Sequence, residues 1–460
     1  MILRTLRNFA PSALFCNQWR SFSSLTRVID VAGKDGELRV FMVAGEVSGD
    51  SIASRLMASL KQISPLPVRF AGVGGDLMFN EGLQSLFPME DISVMGIWEL
   101  LPHLNKMRIN IKRTAEAAVS FQPHVVVTVD SKGFSFRFLR LLRARCNQLG
   151  LGGPVHVHYV APSFWAWKGG EVRLKGLRGF VDHLLCILPL EEEVCCSNGL
   201  AATFVGHPIL EDVLNMNLER DPGPNKWKIQ GNSESFRSKH GITSGATVIT
   251  LLPGSRLQEV TRMLPIFLNA MEILNHSFPK LATVIPVAPN RDVRNYIETA
   301  IQKQSYQTLL ISGVSQNLKY DAFSASQAAL STSGTAILEL QLARLPCVVA
   351  YRAHLLTEWI IRYKTKLRHI SLPNILLDSA VIPEALFGAC TPKNLASFLS
   401  QVITDESFRD RQVEAAERVF EMLSPSKKNT CSQACEEIGS SGCSPSLIAA
   451  NTILYSAKRL

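Results

Sequence analysis

Short apolar runs rich in valine, isoleucine and leucine recur along most of the chain, and longer amphipathic stretches separate them. Residues 39–44, 68–73, 124–129, 155–160, 184–188 and 203–205 are such runs; 247–252, 283–287, 309–312, 328–332 and 347–351 form a second series. Each run is too short for a helix and is bounded by glycine, proline or polar turn residues, so each predicts a buried strand. The intervening pattern has the helical period, over 51–63, 95–120 and 394–422 for example. After residue 256, Val260, Leu264, Phe267, Leu268, Met271 and Leu274 fall on one helical stripe. Strands alternating with helices imply an α/β fold, a doubly wound parallel sheet covered on both faces.

The alternation stops once. Around residues 220–234 (RDPGPNKWKIQGNSE) the pattern dissolves into proline, glycine and polar positions, which reads as a linker. The expected organisation is a first domain over residues 38–219, a linker over 220–240, a second domain over 241–423, and a variable tail with a final short helix over 424–460. Residues 424–444 read as poorly ordered. Residues 51–63 are expected to form a helix after a glycine-punctuated turn at 45–50.

The first 27 residues differ in kind. They carry Arg4, Arg7, Arg20 and Arg27, several serines and no acid, the pattern of an organelle transit peptide rather than a secretory signal. A mitochondrial address is expected, with the chloroplast as the alternative. Removing these arginines lowers the formal net charge from +9 to +5, enough for an enzyme of anionic substrates without invoking nucleic acid. A chain that is 46% hydrophobic and 19% charged is globular in composition. No run reaches the about 18 apolar residues that span a bilayer, so membrane contact is expected to be peripheral. The ten cysteines include no CxxC, and Cys431, Cys435 and Cys443 match no common zinc spacing. His156 and His158 share a face of an apolar strand and read as satisfied strand histidines, so no metal site is expected.

Chemistry concentrates at the carboxyl ends of the expected strands, where open α/β sheets bind ligands. Pro253-Gly254-Ser255-Arg256 turns from a strand into a helix, offering backbone N–H groups and a guanidinium to an anion. Ser333-Gly334-Thr335-Ala336 repeats this arrangement; Ser333 and Thr335 are placed to cap the following helix. Glu339, one turn in, has two acceptor oxygens suited to the two hydroxyls of a ribose. Two anion-ready turns and a carboxylate fit a nucleoside diphosphate. In the first domain, Glu46 and Asp130 end strands, and so does the glycine loop containing Gly72; on spacing alone Asp130 is equally an N-cap. There is no P-loop and the first strand–helix turn is not GxGxxG, which argues against dinucleotide redox chemistry. No Asp-x-Asp is present to hold a metal on a sugar nucleotide.

The motifs VAGEVSGD, GVGG, SVMGIWELL, HYVAPSFWAW, FVGHP, LLPGSR, SGTAILE, YR and SLPN occur in an order that resembles the lipid-A-disaccharide synthase family, from about Arg39 to Asn374. The resemblance implies the GT-B architecture, two Rossmann-like domains facing a cleft with the nucleotide in the second. It implies a glycosyltransferase joining UDP-2,3-diacylglucosamine to the 6-hydroxyl of 2,3-diacylglucosamine 1-phosphate without metal or cofactor. Asp130 is then the expected base, Glu46 a second candidate or orienting partner, and Arg256 the diphosphate anchor. Ser255, Ser333, Gly334, Thr335 and Ala336 would hold the diphosphate and Glu339 the ribose. Tyr351, Arg352 and Asn374 would lie near the donor sugar or acceptor phosphate; Gly45, Ser48, Gly74 and Trp165 are expected on the acceptor side. Trp165 and Trp167 fit a cleft or a core equally. The family commonly reads Asp-Ala-Pro-Asp-Phe-Asn where this chain has Asp130-Ser131-Lys132-Gly133-Phe134-Ser135, so an acid and an asparagine are replaced. Two other readings remain: another GT-B UDP-N-acetylglucosamine transferase or epimerase, and a UDP-sugar-binding protein that has lost catalysis. The helix beginning at Met95, with Trp98 and Leu101, is the expected membrane contact, and a homodimer is left open.

Overall fold

The computed structural model describes residues 26–92, 97–217, 227–353, 355–425 and 444–457. Two six-stranded sheets organise them. The first contains β1 (Leu38–Ala44), β2 (Val68–Val73), β3 (Val125–Val129), β4 (Val155–Tyr159), β5 (His183–Cys186) and β6 (Ala202–Phe204), in the order β2-β1-β3-β4-β5-β6. The second contains β7 (Thr247–Leu252), β8 (Leu281–Val287), β9 (Gln307–Ser312), β10 (Ala328–Ser331), β11 (Cys347–Tyr351) and β12 (Glu384–Leu386), in the order β12-β11-β10-β7-β8-β9. All pairings are parallel. The valine runs form the central strands, and every residue of β3 and β4 is buried, as helices on both faces require. The expected fold class, two doubly wound α/β sheets, is the one observed.

Strand order fixes where a ligand can sit. In the first sheet the chain reverses direction between β1 and β3, with Ala44 beside Val129; in the second it reverses between β7 and β10, with Leu252 beside Ser331. At such switch points the loops diverge to opposite faces and leave a crevice. Glu46 and Asp130 follow the first pair of strands, and the Pro253 and Ser333 turns follow the second. The four segments singled out from the sequence thus occupy the two switch points.

Three elements depart from expectation. The helix Val47–Ile63 begins directly after Glu46, because Asp50 in its first turn suits the positive end of the helix and ties a neighbouring loop to it. A helix Val28–Asp35, unmarked by periodicity, precedes β1. The final helix, grouped with the tail in the sequence reading, spans Pro445–Tyr455 and returns to the first half. Its Ala449, Ala450, Ile453 and Leu454 share a buried cluster with Ala53, Leu56, Met57 and Leu60. Ser59 Oγ donates to Ser446 Oγ at 2.8 Å, and Arg27 bridges to Ala457.

Residues 227–240 are not an open linker: the helix Ser233–Lys239 sends Phe236 into a cluster with Val248, Val284 and Ile311. Residues 218–226, the expected transit peptide up to residue 25, and Cys431, Cys435 and Cys443 lie outside the described residues, as do the side chains of Trp98 and Leu101. A further apolar cluster joins the halves, with Leu188, Ile209 and Val213 against Ile337, Val349 and Phe420.

Candidate active site

The first sheet aims two carboxylates into the crevice. Asp130 and Ser131 both adopt left-handed backbone, at φ 48° and 42°, a conformation that costs a residue with a side chain about 1–3 kcal/mol. The turn is held from three sides. The Asp130 amide donates to the Tyr159 carbonyl at 3.0 Å, the Ser135 hydroxyl donates to the Asp130 carbonyl at 2.9 Å, and the Asp130 carboxylate accepts the Ser131 N–H. Ser135, which stands in place of the family asparagine, thus braces the backbone of the candidate base. Gly133, in place of the acid, is exposed with only Arg137 Nη1 near its missing Cβ. Asp130 does not cap the next helix, whose flanking residue is Ser131.

Close approach between the two strand ends depends on Gly45. A Cβ there would lie 2.4 Å from Ser131 Oγ, so Gly45 is a spacing residue, buried rather than presented to a substrate. Glu46 follows it, 17% exposed, with Oε2 3.8 Å from Arg256 Nη2 of the second half. Burial pushes the Glu46 carboxyl above its ordinary range, the Asp130 charge adds to this, and Arg256 opposes it. Burial also raises Asp130, against the Ser131 N–H and the cations Lys132 and Arg256. One arginine therefore faces two carboxylates of raised proton affinity across the crevice, which brings Glu46, Asp130 and Arg256 together.

The second sheet contributes the turn Pro253–Arg256. Gly254 has φ 120°, and a Cβ there would sit 2.3 Å from Glu259 Oε2. Glu259, three residues into the helix Leu257–Asn275, accepts hydrogen bonds from the Ser255 N–H and the Thr332 hydroxyl. It fastens the Ser255 turn to the neighbouring Ser333 turn, and burial holds its carboxyl above the usual range. Sequence reading missed Glu259. Its place, three residues beyond the helix start, is where a capping-box acid sits, and that was the available signal. The Ser255 amide is therefore not idle, and Glu259 shares the helix end with any incoming anion.

Ser333 is half-buried, and Gly334, at φ 147°, and Thr335 are exposed. Thr335 flanks the helix Ala336–Leu342 without a side-chain cap, contrary to the capping expected of it. Ala336 opens that helix. Glu339, one turn in, is paired with the nearly buried Lys319, Nζ to Oε1 2.8 Å. Tyr351, at the end of β11, is half-buried edge-on to Phe387; burial and the charge of Glu259 raise its hydroxyl pKa, so it borders the same turn. Arg352 beside it is exposed.

Two expected ligands are corrected. Asn374 is fully buried; its amide nitrogen donates to the Ile382 carbonyl and Glu384 Oε1, and its oxygen accepts from Val381 and Ile382. With every amide position engaged by protein, it braces the segment before β12. Gly74 is buried, and its amide donates to Ser85 Oγ at 3.2 Å. The acid that organises this loop is Asp50, also missed, whose carboxylate accepts the N–H groups of Gly75, Leu77 and Met78. Ser48 is exposed on the first turn of its helix. Trp165 donates to Glu191 Oε1 at 3.3 Å and packs on the cluster joining the halves. Burial raises Glu191 to about 7. His158 pairs with Thr128 Oγ1 at 2.7 Å, and burial lowers it to about 3.

A family profile described as Lipid-A-disaccharide synthetase matches residues 40–438. A protein of Arabidopsis thaliana named "Probable lipid-A-disaccharide synthase, mitochondrial" is 58% identical over 98% of this chain and 97% of its own length. The lipid-A-disaccharide synthase of Rhodospirillum centenum is 40% identical over 84% of this chain and 90% of its own. Among solved structures, the UDP-bound S. aureus MnaA superposes with a TM-score of 0.57 at 13% identity, covering 84% of this chain and 94% of that one. The UDP-GlcNAc 2-epimerase of Neisseria meningitidis, bound to UDP-GlcNAc, superposes at 0.53 with 10% identity, covering 84% and 99%. These structural likenesses speak for the two-sheet fold alone. The profile and these relatives show that this chain belongs to the lipid-A-disaccharide synthase family of glycosyltransferases.

Proposed function

We propose that the chain transfers 2,3-diacylglucosamine from UDP to the 6-hydroxyl of 2,3-diacylglucosamine 1-phosphate, with inversion and without a metal. The observation that carries this reading is the meeting of Glu46, Asp130 and Arg256 across the crevice in a member of this family. Asp130 takes the proton of the acceptor hydroxyl. The oxygen forms a bond to the anomeric carbon, and the bond from that carbon to the diphosphate breaks with its electron pair going to UDP. Arg256 meets that charge, with the N–H groups of the 255 and 333–336 turns alongside. Glu46 orients Arg256 and shares the proton load of the base. Lys319 pairs with Glu339 and fixes its place for the ribose hydroxyls. Tyr351 and Arg352 stand beside the donor turn, and Ser48 and Trp165 belong to the acceptor side.

The Arg- and Ser-rich first 27 residues and the mitochondrial name of the Arabidopsis relative support a mitochondrial address. Substrates with two acyl chains call for peripheral membrane contact. The deciding experiment supplies both diacyl sugars to the chain in EDTA and follows UDP and disaccharide together. Disaccharide that disappears in Asp130→Ala is the expected outcome. Bound UDP without turnover would support a binding protein that has lost catalysis, a reading motivated by Gly133 and Ser135. Release of UDP without the acceptor would support an epimerase-like activity.

A further inference from the structure

The helix Leu355–Lys364, which follows β11, presents Trp359 and Tyr363 to solvent at 62% and 63% exposure. They lie one helical turn apart with rings parallel, centroids 5.6 Å apart and planes within 2°. Two large aromatic rings stacked on each other and exposed to solvent form an apolar surface outside the core of the described residues. Lys168 and Lys364 are exposed cations beside them, and Lys366 and Arg368, also exposed, follow on the segment that leaves the helix. Lys168 places its ammonium 5.3 Å from the Tyr363 ring while bonding the Tyr363 carbonyl at 2.7 Å. One of these charges, Lys366, is offset by Glu171, which leaves Lys168, Lys364 and Arg368. Glu358 is turned inward at 9% exposure, and Glu171 is ion-paired with Lys366.

The patch spans both halves. Trp167 and Thr365 form an antiparallel bridge; the Lys168 N–H donates to the Lys364 carbonyl at 2.8 Å, and the Lys366 N–H to the Ala166 carbonyl at 2.9 Å. The two joined segments follow the carboxyl ends of β4 and β11, the side on which the crevice opens.

We infer that this aromatic–cationic patch docks the protein onto an anionic phospholipid bilayer. Indole and phenol rings settle at the boundary between headgroups and acyl chains, and surrounding cations are drawn to the negative leaflet. A polyanion in water would match the cations and leave the rings wet. A second copy of this face would set lysine against lysine. The surface is distinct from the helix expected to touch membrane from the sequence.

The test uses the full chain and vesicles of phosphatidylcholine, with and without phosphatidylglycerol, that carry no sugar lipid, so the result does not depend on the transferase reading. The pair Trp359→Ser with Tyr363→Ser is expected to lower partition onto the mixed vesicles by about tenfold or more, with its thermal midpoint retained. Lys364→Gln with Arg368→Gln should lower partition about tenfold on the mixed vesicles and leave neutral ones unaffected. If the serine pair fails to fold, the glutamine pair decides. Unchanged partition in the folded variants overturns the inference. So does loss of self-association with partition retained, which would assign the face to a second copy.

Discussion

The two edges that border the crevice are built on opposite electrostatic plans. The first sheet ends in two carboxylates, Asp130 on left-handed and Glu46 on extended backbone, and burial raises both, so they are poised to take protons. The second ends in glycine turns, helix starts and a guanidinium, which attract an anion and exchange no proton. Each plan would be costly alone: buried carboxylates repel, and a bare arginine at a helix start attracts any anion. Facing one another, Glu46 and Arg256 partly offset both costs. The division teaches that the halves can be perturbed separately, one in proton transfer and the other in binding.

The sharpest way to break that division is at Asp130. Asp130→Asn should lower kcat by ~10²–10⁴ while UDP affinity, read by calorimetry, is retained; parallel loss of both would merge the roles. Arg256→Ala should cost ~10²–10³ in rate and weaken UDP as well. Arg256→Lys should recover only part of this, because an ammonium lacks the planar fork.

Glu191 tests a buried carboxylate away from the crevice. Its folded pKa lies above its ordinary 4.5, at about 7, so the fold favours the protonated form. Stability is then greatest below the unfolded pKa and falls as pH rises towards about 7. That displacement is worth at most about 3 kcal/mol. The thermal midpoint should decline across this window, and Glu191→Gln should abolish the slope; a slope kept in the variant would place the titration elsewhere. The smallest effect concerns the coupled pair. Activity requires an ionised base, so kcat/KM should fall as pH drops through the raised value of Asp130. The Asp130 charge raises Glu46, so Asp130→Asn should move the Glu46 titration, followed by carboxyl NMR, to lower pH. A Glu46 titration that stays in place would uncouple the two acids.

Much of this plan was legible in the sequence because it rests on local signals. Valine runs mark buried strands, and Gly254-Ser255-Arg256 and Ser333-Gly334-Thr335 mark strand-to-helix turns by composition. Glu46 and Asp130 stood out because they end strands. What escaped is decided by partners distant in sequence. Asn374 looked like a ligand within its motif, yet its amide is engaged by Ile382 and Glu384. Gly74 looked like part of a binding loop, while the loop's anchor, Asp50, lies on another element. Glu259 was not singled out, although a side chain at Gly254 would collide with it. No periodicity indicates that residues beyond 444 belong to the first sheet.

That last arrangement bears on how the molecule is made. Ala53, Met57 and Leu60 are covered by Ala449, Ala450 and Ile453, so a helix of the first sheet waits for a segment made after the whole second sheet. A product of premature termination would keep both sheets' strands yet leave an oily seam uncovered on its leading half. Concealment of that seam is thereby coupled to synthesis of the Pro445–Tyr455 helix, and chains cut short of it expose apolar side chains that the finished fold hides.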